Sequence, residues 1–170
     1  MKSENIQYRT APTPIEAKAP EQRQTQGGQM ILAGYAAVFN EPTSLGRFDE
    51  VIAPEAFQGA NMEDVRFLVD HAGLPLGRTS AGTMELTTDA RGLRYRVTLP
   101  ETARARELYQ AVLRGDVSQS SFAFRIGRED WEQVDGKLTR FVRSISVVLD
   151  TSAVTFPAYE QTTVEALPFG

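Results

Sequence analysis

The Asp135-Gly136 pair constrains the fold more than any other feature of the sequence. An Asp-Gly dipeptide between two alternating apolar runs is typical of a two-residue β-hairpin turn, because that turn needs a positive φ at both positions. The flanking runs cover residues 128–134 and 137–149. Together they predict a hairpin of two long antiparallel strands.

Most other apolar segments also have the composition of β-strands. In residues 92–99, for example, Leu93, Tyr95 and Val97 alternate with polar residues, as in a strand with one buried face. Residues 72–77 contain glycine and proline and are predicted to form a loop. Further strands are predicted over residues 30–39, 48–52, 65–69, 82–87, 120–126 and 151–156.

One clear helix is predicted over residues 101–114, where apolar residues recur at helical spacing. Gly115 follows it as a left-handed cap. A helical turn is also predicted at residues 54–57, because proline suits a first helical position. Many strands and few helices indicate an α+β fold, mainly an antiparallel β-barrel with surrounding helices.

Length and composition divide the chain into one domain with two tails. The 170 residues suit a single domain with its own core. Residues 1–29 carry too little apolar surface to offset the entropy of ordering, so we predict a flexible N-terminal arm, with a propeptide or cleavable arm as the alternative. Within it, Ile6 and Tyr8 have the spacing for one face of a short edge strand. The domain then covers residues 30–160, and residues 161–170 form a C-terminal tail.

Charge and residue counts exclude several classes of function. A net charge of −4 argues against a nucleic-acid-binding surface as the main function. The chain has no cysteine and one histidine, so disulfides and thiolate metal sites are excluded and no metal or other cofactor is expected. No apolar run reaches the roughly 18 residues of a membrane helix, and the N-terminus lacks the apolar core of a signal peptide. We therefore expect a soluble protein with no membrane partner.

A serine cluster at residues 118–121 precedes an alternating apolar strand and is the strongest candidate for chemistry. Ser120 shares the face of Phe122 and Phe124, which is expected to be core, whereas Ser121 points to the other face. Ser121 is therefore the candidate nucleophile. A serine nucleophile needs a base that takes its proton and a group that orients the base.

His71 is the only imidazole in the chain, and it lies between a predicted strand and a predicted loop, where site residues are often carried. A lone histidine is nevertheless more often a surface or core residue than a functional one. Asp150, at the end of a predicted strand, is the carboxylate best placed to orient the ring. Backbone amides of residues 115–118 or 140–143 are candidate donors to an oxyanion. These residues predict a serine endopeptidase.

Six stretches, in order and at similar spacing, resemble the prohead proteases of tailed bacteriophages. The resemblance extends over roughly residues 30–160, and six motifs in sequence are far more specific than one. The stretches are GYAAVFN (34–40), VIAPEAF (51–57), FLVDHAGLPLGR (67–78), GTMELTTDARGL (82–93), LRGDVSQSSFAF (113–124) and LDTSAVTFPAY (149–159).

The resemblance implies a β-barrel surrounded by helices, as in the herpesvirus assembly protease. It implies that His71 is the base, Ser121 the nucleophile and Asp150 the third residue, where many relatives have glutamate. The substrate would be the capsid protein precursor or its scaffold domain, cut inside the procapsid in the bacterial cytoplasm, with self-cleavage as well. Relatives with the herpesvirus fold are active as dimers, so a homodimer is a hypothesis, although no segment of the sequence indicates a dimer face.

Two other functions stay open at this point. One is a noncatalytic capsid-assembly or scaffold protein with the same fold. The retention of all three candidate residues argues against this function. The other is a carboxylate-metal hydrolase that uses Asp70, His71 and Asp49.

Overall fold

The structure is a computed structural model that describes residues 5–18 and 29–156. Within these residues the chain is mostly β-sheet, with one α-helix and a short 3₁₀ turn at Thr79–Ala81. The elements are β1 Gln7–Pro14, β2 Glu16–Lys18, β3 Ile31–Val38, β4 Thr43–Ser44, β5 Asp49–Ile52, β6 Arg66–Val69, β7 Ala72–Arg78, β8 Met84–Thr88, β9 Gly92–Thr98, α1 Ala103–Arg114, β10 Gln119–Val134 and β11 Lys137–Val154.

The strands form two sheets. The larger sheet has the order β1-β10-β11-β5-β4, and β6 also pairs with β11 and with β7. In this sheet β11 runs antiparallel to β10 but parallel to β5 and β6. The smaller sheet, β2-β3-β9-β8, is antiparallel throughout. Pairing among the described strands does not by itself close a barrel. In the described residues α1 is the only α-helix, where a barrel with surrounding helices was predicted.

The predicted hairpin is confirmed as β10 and β11. Its turn residues Asp135 and Gly136 have φ values of 51° and 80°. Both strands are longer than predicted, because β10 joins two predicted strands and β11 joins two others. The β10–β11 register shifts at several points between residues 123 and 129. Such bulges let a strand take up an extra residue and bend without ending.

Two local predictions are wrong. Residues 72–77, predicted as a loop, belong to β7. Among the described strands, β7 pairs only with β6, and an edge strand tolerates glycine and proline because one side of its backbone needs no partner. Residues 54–57 form consecutive turns rather than a helical turn.

Part of the predicted N-terminal arm contributes strands to both sheets. β1 pairs with β10, and β2 pairs with β3. Arg9 on β1 also donates to the carboxylate of Glu50, which binds Arg140 as well and whose side chain is 2% exposed. Ladder hydrogen bonds and a buried ion pair thus order residues for which composition predicts flexibility. Residues 19–28 of the arm, and the predicted tail at 161–170, lie outside the described residues.

One core takes buried side chains from both sheets and from α1. Phe67 and Tyr95 connect the sheets, with their ring centroids 5.6 Å apart. Helix α1 begins after Thr102, whose hydroxyl accepts the backbone N–H of Ala105. It ends at Gly115, which has a φ of 84°, so the predicted cap is confirmed. No helix in the described ranges is long and apolar enough to cross a membrane.

An ion pair between Asp64 and Arg78 closes the open end of the β6–β7 hairpin. Arg78 Nε and Nη2 donate to the two carboxylate oxygens of Asp64 at 2.6 and 2.9 Å. These bonds lower the pKa of Asp64 from 3.8 to about 2. A carboxyl with a lowered pKa in the folded state stabilises the fold above its unfolded pKa. That stabilisation is lost as the pH falls through about 2.

We expect Asp64→Asn to lower the melting temperature slightly at pH 7, because the pair is exposed to solvent and screened by it. The difference in melting temperature between wild type and variant should be smaller at pH 3, where part of the wild-type stabilisation is already lost. Thermal melts of both proteins at the two pH values measure this. Asp116→Asn, which removes an exposed ion pair with Arg114 outside the hairpin, is the matched control. A difference that widens at pH 3 would contradict the prediction.

Candidate active site

The candidate nucleophile lies on the central hairpin. Ser121 belongs to β10 and is opposite Thr10 of β1 on one side and Ser152 of β11 on the other. It is fully buried in this structure. Because its strand is paired on both sides, the backbone position of Ser121 is held from two directions.

His71 lies in the two-residue turn between β6 and β7, where Val69 pairs with Ala72. Both turn residues, Asp70 and His71, have positive φ, at 52° and 58°. This conformation is needed at both positions of a tight type I′ turn, and aspartate and histidine adopt it more often than most residues but less readily than glycine. Tertiary contacts therefore help to hold the histidine in place.

Hydrogen bonds from the end of β11 and from Thr155, just after it, hold the histidine turn. The N–H of Asp70 donates to the carbonyl of Ala153 at 2.9 Å, and the N–H of His71 donates to Ser152 Oγ at 3.1 Å. The Asp70 carboxylate accepts from the backbone N–H and the hydroxyl of Thr155 at 2.8 and 2.7 Å. Four bonds to three neighbouring residues thus fix the turn to the end of β11.

The structure brings the three predicted site residues together. His71 Nε2 is 2.9 Å from Ser121 Oγ, and His71 Nδ1 is 2.6 Å from Asp150 Oδ1. The histidine and aspartate side chains are only 10% and 12% exposed. In a neutral ring, an Nδ1–H that donates to the carboxylate leaves Nε2 free to accept the serine proton. This is the geometry that general-base activation of a hydroxyl requires.

An aromatic ring covers one side of the imidazole. The ring of Tyr8, on β1, lies edge-on to the ring of His71 with centroids 4.7 Å apart. The predicted arm therefore provides part of the wall of the site. Such edge-to-face contacts favour one orientation of the imidazole plane.

Ser120 has a different environment from Ser121. Its hydroxyl donates to the backbone carbonyl of Tyr35, at 3.3 Å, and the residue is fully buried. Tyr35 belongs to β3, so this bond connects the larger sheet to the smaller one. The Ser120 hydroxyl therefore takes part in the contact between the two sheets.

The predicted oxyanion donors are mostly engaged or distant. The amides of residues 115–117 donate to the carbonyls of Ala111 and Val112 in the cap of α1. The segment 140–143 lies towards the far end of the hairpin, because Arg140 pairs with Trp131 whereas Ser121 pairs with Ser152. The amides of residues 115–117 and of the segment 140–143 are therefore poor oxyanion donors, and the amide of Ser118 stays a candidate.

The residues of the metal-hydrolase alternative do not meet. Asp49 lies opposite Thr139 on β11 and forms an ion pair with Lys137, near the hairpin turn. The Asp70 carboxylate is bound by Thr155. Among the described residues, no group of three or more histidine, cysteine or acidic side chains is placed to hold a metal ion.

Sequence reasoning missed the residues that support the site. Ser152 and Thr155 bind the histidine turn, and Ser152 also binds Asp150. One signal was available for Ser152, because residues two apart on a strand share a face and Ser152 is two residues after Asp150. No local signal indicates that Thr155 binds Asp70, which is 85 residues away.

The sequence of the whole chain identifies its family. The family model described as "Caudovirus prohead serine protease" matches residues 14–168. The chain belongs to the caudovirus prohead serine protease family. It is 31% identical over 147 residues to the prohead protease of Enterobacteria phage HK97, a match that covers 83% of this chain and 61% of the HK97 protein. The chain thus spans about three fifths of the length of this relative.

A solved structure has a related fold. The capsid assembly protease gp21 of bacteriophage T4 superposes on this prohead protease family member with a TM-score of 0.53. The match covers 89% of this chain and 98% of the T4 chain. Sequence identity is 10%, so this similarity concerns the fold alone.

Proposed function

We propose that this member of the prohead protease family is a serine endopeptidase with Ser121 as nucleophile, His71 as general base and Asp150 as the residue that orients the base. The observation that carries the proposal is the continuous chain of contacts from Ser121 Oγ through both ring nitrogens of His71 to Asp150 Oδ1. Membership of the family supports the reaction class.

The proposed reaction proceeds through an acyl-enzyme. Ser121 Oγ forms a bond to the scissile carbonyl carbon while its proton passes to His71 Nε2. Asp150 stabilises the imidazolium that results. The C–N bond then breaks, and the leaving amine takes the proton from Nε2. A water molecule, deprotonated by the same nitrogen, hydrolyses the ester and restores the serine.

The proposed substrate is the precursor of the major capsid protein or its scaffold domain, cut during prohead maturation. The proposal rests on membership of the prohead protease family and on the name of the HK97 relative, a prohead protease. It includes action in the interior of the procapsid and cleavage of the chain itself. A herpesvirus-type barrel and a homodimer belong to the same proposal and rest on the resemblance of the six sequence stretches.

A serine-directed covalent probe tests the assignment directly. We expect a fluorophosphonate to label the protein at Ser121 and not at Ser120, because only Ser121 contacts an imidazole that can accept its proton. Mass spectrometry of the labelled peptides distinguishes the two serines. Incubation with the capsid precursor from the same phage should give fragments that labelling suppresses.

Two results would contradict the proposal. One is an adduct on Ser120 that abolishes cleavage. The other is an intact precursor after incubation with a folded protein that takes up no probe, and this second result would favour the noncatalytic assembly role.

A further inference from the structure

We propose that Ser152 is a positioning residue of the site, which holds the carboxylate of Asp150 and the backbone of His71 in one arrangement. Its hydroxyl oxygen lies 2.9 Å from Asp150 Oδ1 and 3.1 Å from the backbone nitrogen of His71. The residue is fully buried. This inference rests on the proposed function of the same site.

The hydrogen-bond inventory of a hydroxyl allows both contacts at once. A serine hydroxyl has one proton to donate and two lone pairs that accept. An ionised Asp150 carboxylate has no proton to donate, so Ser152 donates to its Oδ1. The backbone N–H of His71 can only donate, so Ser152 accepts from it. The hydroxyl oxygen also lies 3.4 Å from His71 Nδ1, where its second lone pair can accept from the same N–H that donates to Asp150. With the hydroxyl proton on Asp150, all three contacts fit one orientation of the hydroxyl.

The place of Ser152 in the larger sheet explains why it reaches both partners. On β11 it shares a face with Asp150, two residues earlier. Across the hairpin it is paired with Ser121, and on the other side it is paired with Leu68 of β6, which leads into the histidine turn. Ser152 therefore lies between the strand of the nucleophile and the strand that delivers the base.

Each of the two bonds restrains a group that would otherwise have freedom. Asp150 Oδ1 accepts from both His71 Nδ1 and Ser152 Oγ, so the hydroxyl selects the carboxylate rotamer that faces the imidazole. The bond to the His71 N–H supports a residue with a φ of 58°. Without the hydroxyl, the carboxylate can rotate and the imidazole can populate the tautomer with its proton on Nε2, which cannot accept from Ser121.

We expect Ser152→Ala to lower kcat by roughly 10- to 100-fold, the range that loss of a hydrogen bond to a charged group implies. KM for the capsid precursor should stay within about twofold, because Ser152 is buried and is proposed to act on the transition state rather than on substrate binding. Thr151→Val is the matched control. Thr151 is an adjacent, fully buried residue of the same strand, and its hydroxyl has no hydrogen-bond partner among the described residues.

Two readouts separate positioning from a purely structural role. The chain has one histidine, so ¹⁵N NMR of the substrate-free protein reports the tautomer of His71 without assignment of other rings. Wild type and Thr151→Val should show the proton on Nδ1, and Ser152→Ala should show a mixture. In a double-mutant cycle, Ser152→Ala should add less than about threefold to the loss caused by Asp150→Asn.

Where Ser152→Ala does not fold, Ser152→Thr and Ser152→Val form a pair that differs only in the hydroxyl, and the same kinetic and NMR comparison applies to them. The proposal is overturned if the variant without the hydroxyl keeps the wild-type ring spectrum, whatever its rate. It is also overturned if the double variant with Asp150→Asn loses kcat by the product of the two single-variant losses. The NMR result does not depend on any substrate, so it stands even where the wild type cleaves no capsid precursor and the proposed function fails.

Discussion

Replacement of Ser121 by alanine is expected to lower kcat/KM for the capsid precursor by about 10⁴-fold or more. The hydroxyl is the atom that would form the acyl-enzyme, and it lies 2.9 Å from His71 Nε2. Residual cleavage would come from substrate binding and from polarisation of the carbonyl alone. The rate of fragment formation, measured under single-turnover conditions for wild type and variant, gives the ratio of their kcat/KM values.

Ser120→Ala is the matched control for this experiment. Both variants remove one oxygen from adjacent, fully buried serines of β10. Ser120→Ala removes the bond to the carbonyl of Tyr35 and the interaction with the buried Tyr95 hydroxyl, both in the contact between the sheets, so we expect the melting temperature to fall modestly and the rate to change by less than about threefold. Normal cleavage by Ser121→Ala, or an equal loss in both variants, would show that Ser121 is not the nucleophile.

Replacement of Asp150 by asparagine is expected to lower kcat by about 10⁴-fold, the loss seen when the third member of a triad becomes an amide. Asparagine has the same shape, but its amide N–H can donate to His71 Nδ1. The ring then carries its proton on Nε2, the nitrogen that must accept from Ser121. The imidazolium that forms in the reaction also loses a carboxylate at 2.6 Å.

Asp135→Asn is the control for the charge change. Asp135 lies in the exposed hairpin turn with a φ of 51°, and asparagine tolerates that conformation. Its rate should equal that of wild type. Asp150→Glu should retain more activity than Asp150→Asn, because it keeps the anion. A rate for Asp150→Asn within about tenfold of wild type would remove Asp150 from the proposed triad.

Local patterns predicted the hairpin, the helix and most of the strands well. The positive φ values of Asp135 and Gly136 follow from the identities of the two residues, and the capped helix follows from apolar spacing and Gly115. The prediction failed where pairing overrode composition. Glycine and proline in residues 72–77 indicate a loop, but β6 provides a partner strand on one side and an edge strand needs no other.

The candidate site was predictable as a set of residues but not as a geometry. His71 could be chosen because it is the only histidine, and Ser121 because alternation places it away from the aromatic face. Their separations, 50 residues between serine and histidine and 79 between histidine and aspartate, carry no local signal. The supporting bonds from Ser152 and Thr155 were missed for the same reason, because each crosses from β11, or from the residue just after it, to a turn more than 80 residues away.

The sequence by itself determined most of the strands, where the central hairpin turns and which three side chains are candidates for chemistry, because these depend on residue identity and on neighbours a few residues apart. Only the tertiary structure decided the parallel pairing of β6 with β11, which places the histidine turn beside Ser152 and Asp150. It also decided the ordering of β1, whose Tyr8 covers the imidazole. Strand pairing and burial are properties of distant segments in contact, and those contacts exist only once the chain has folded.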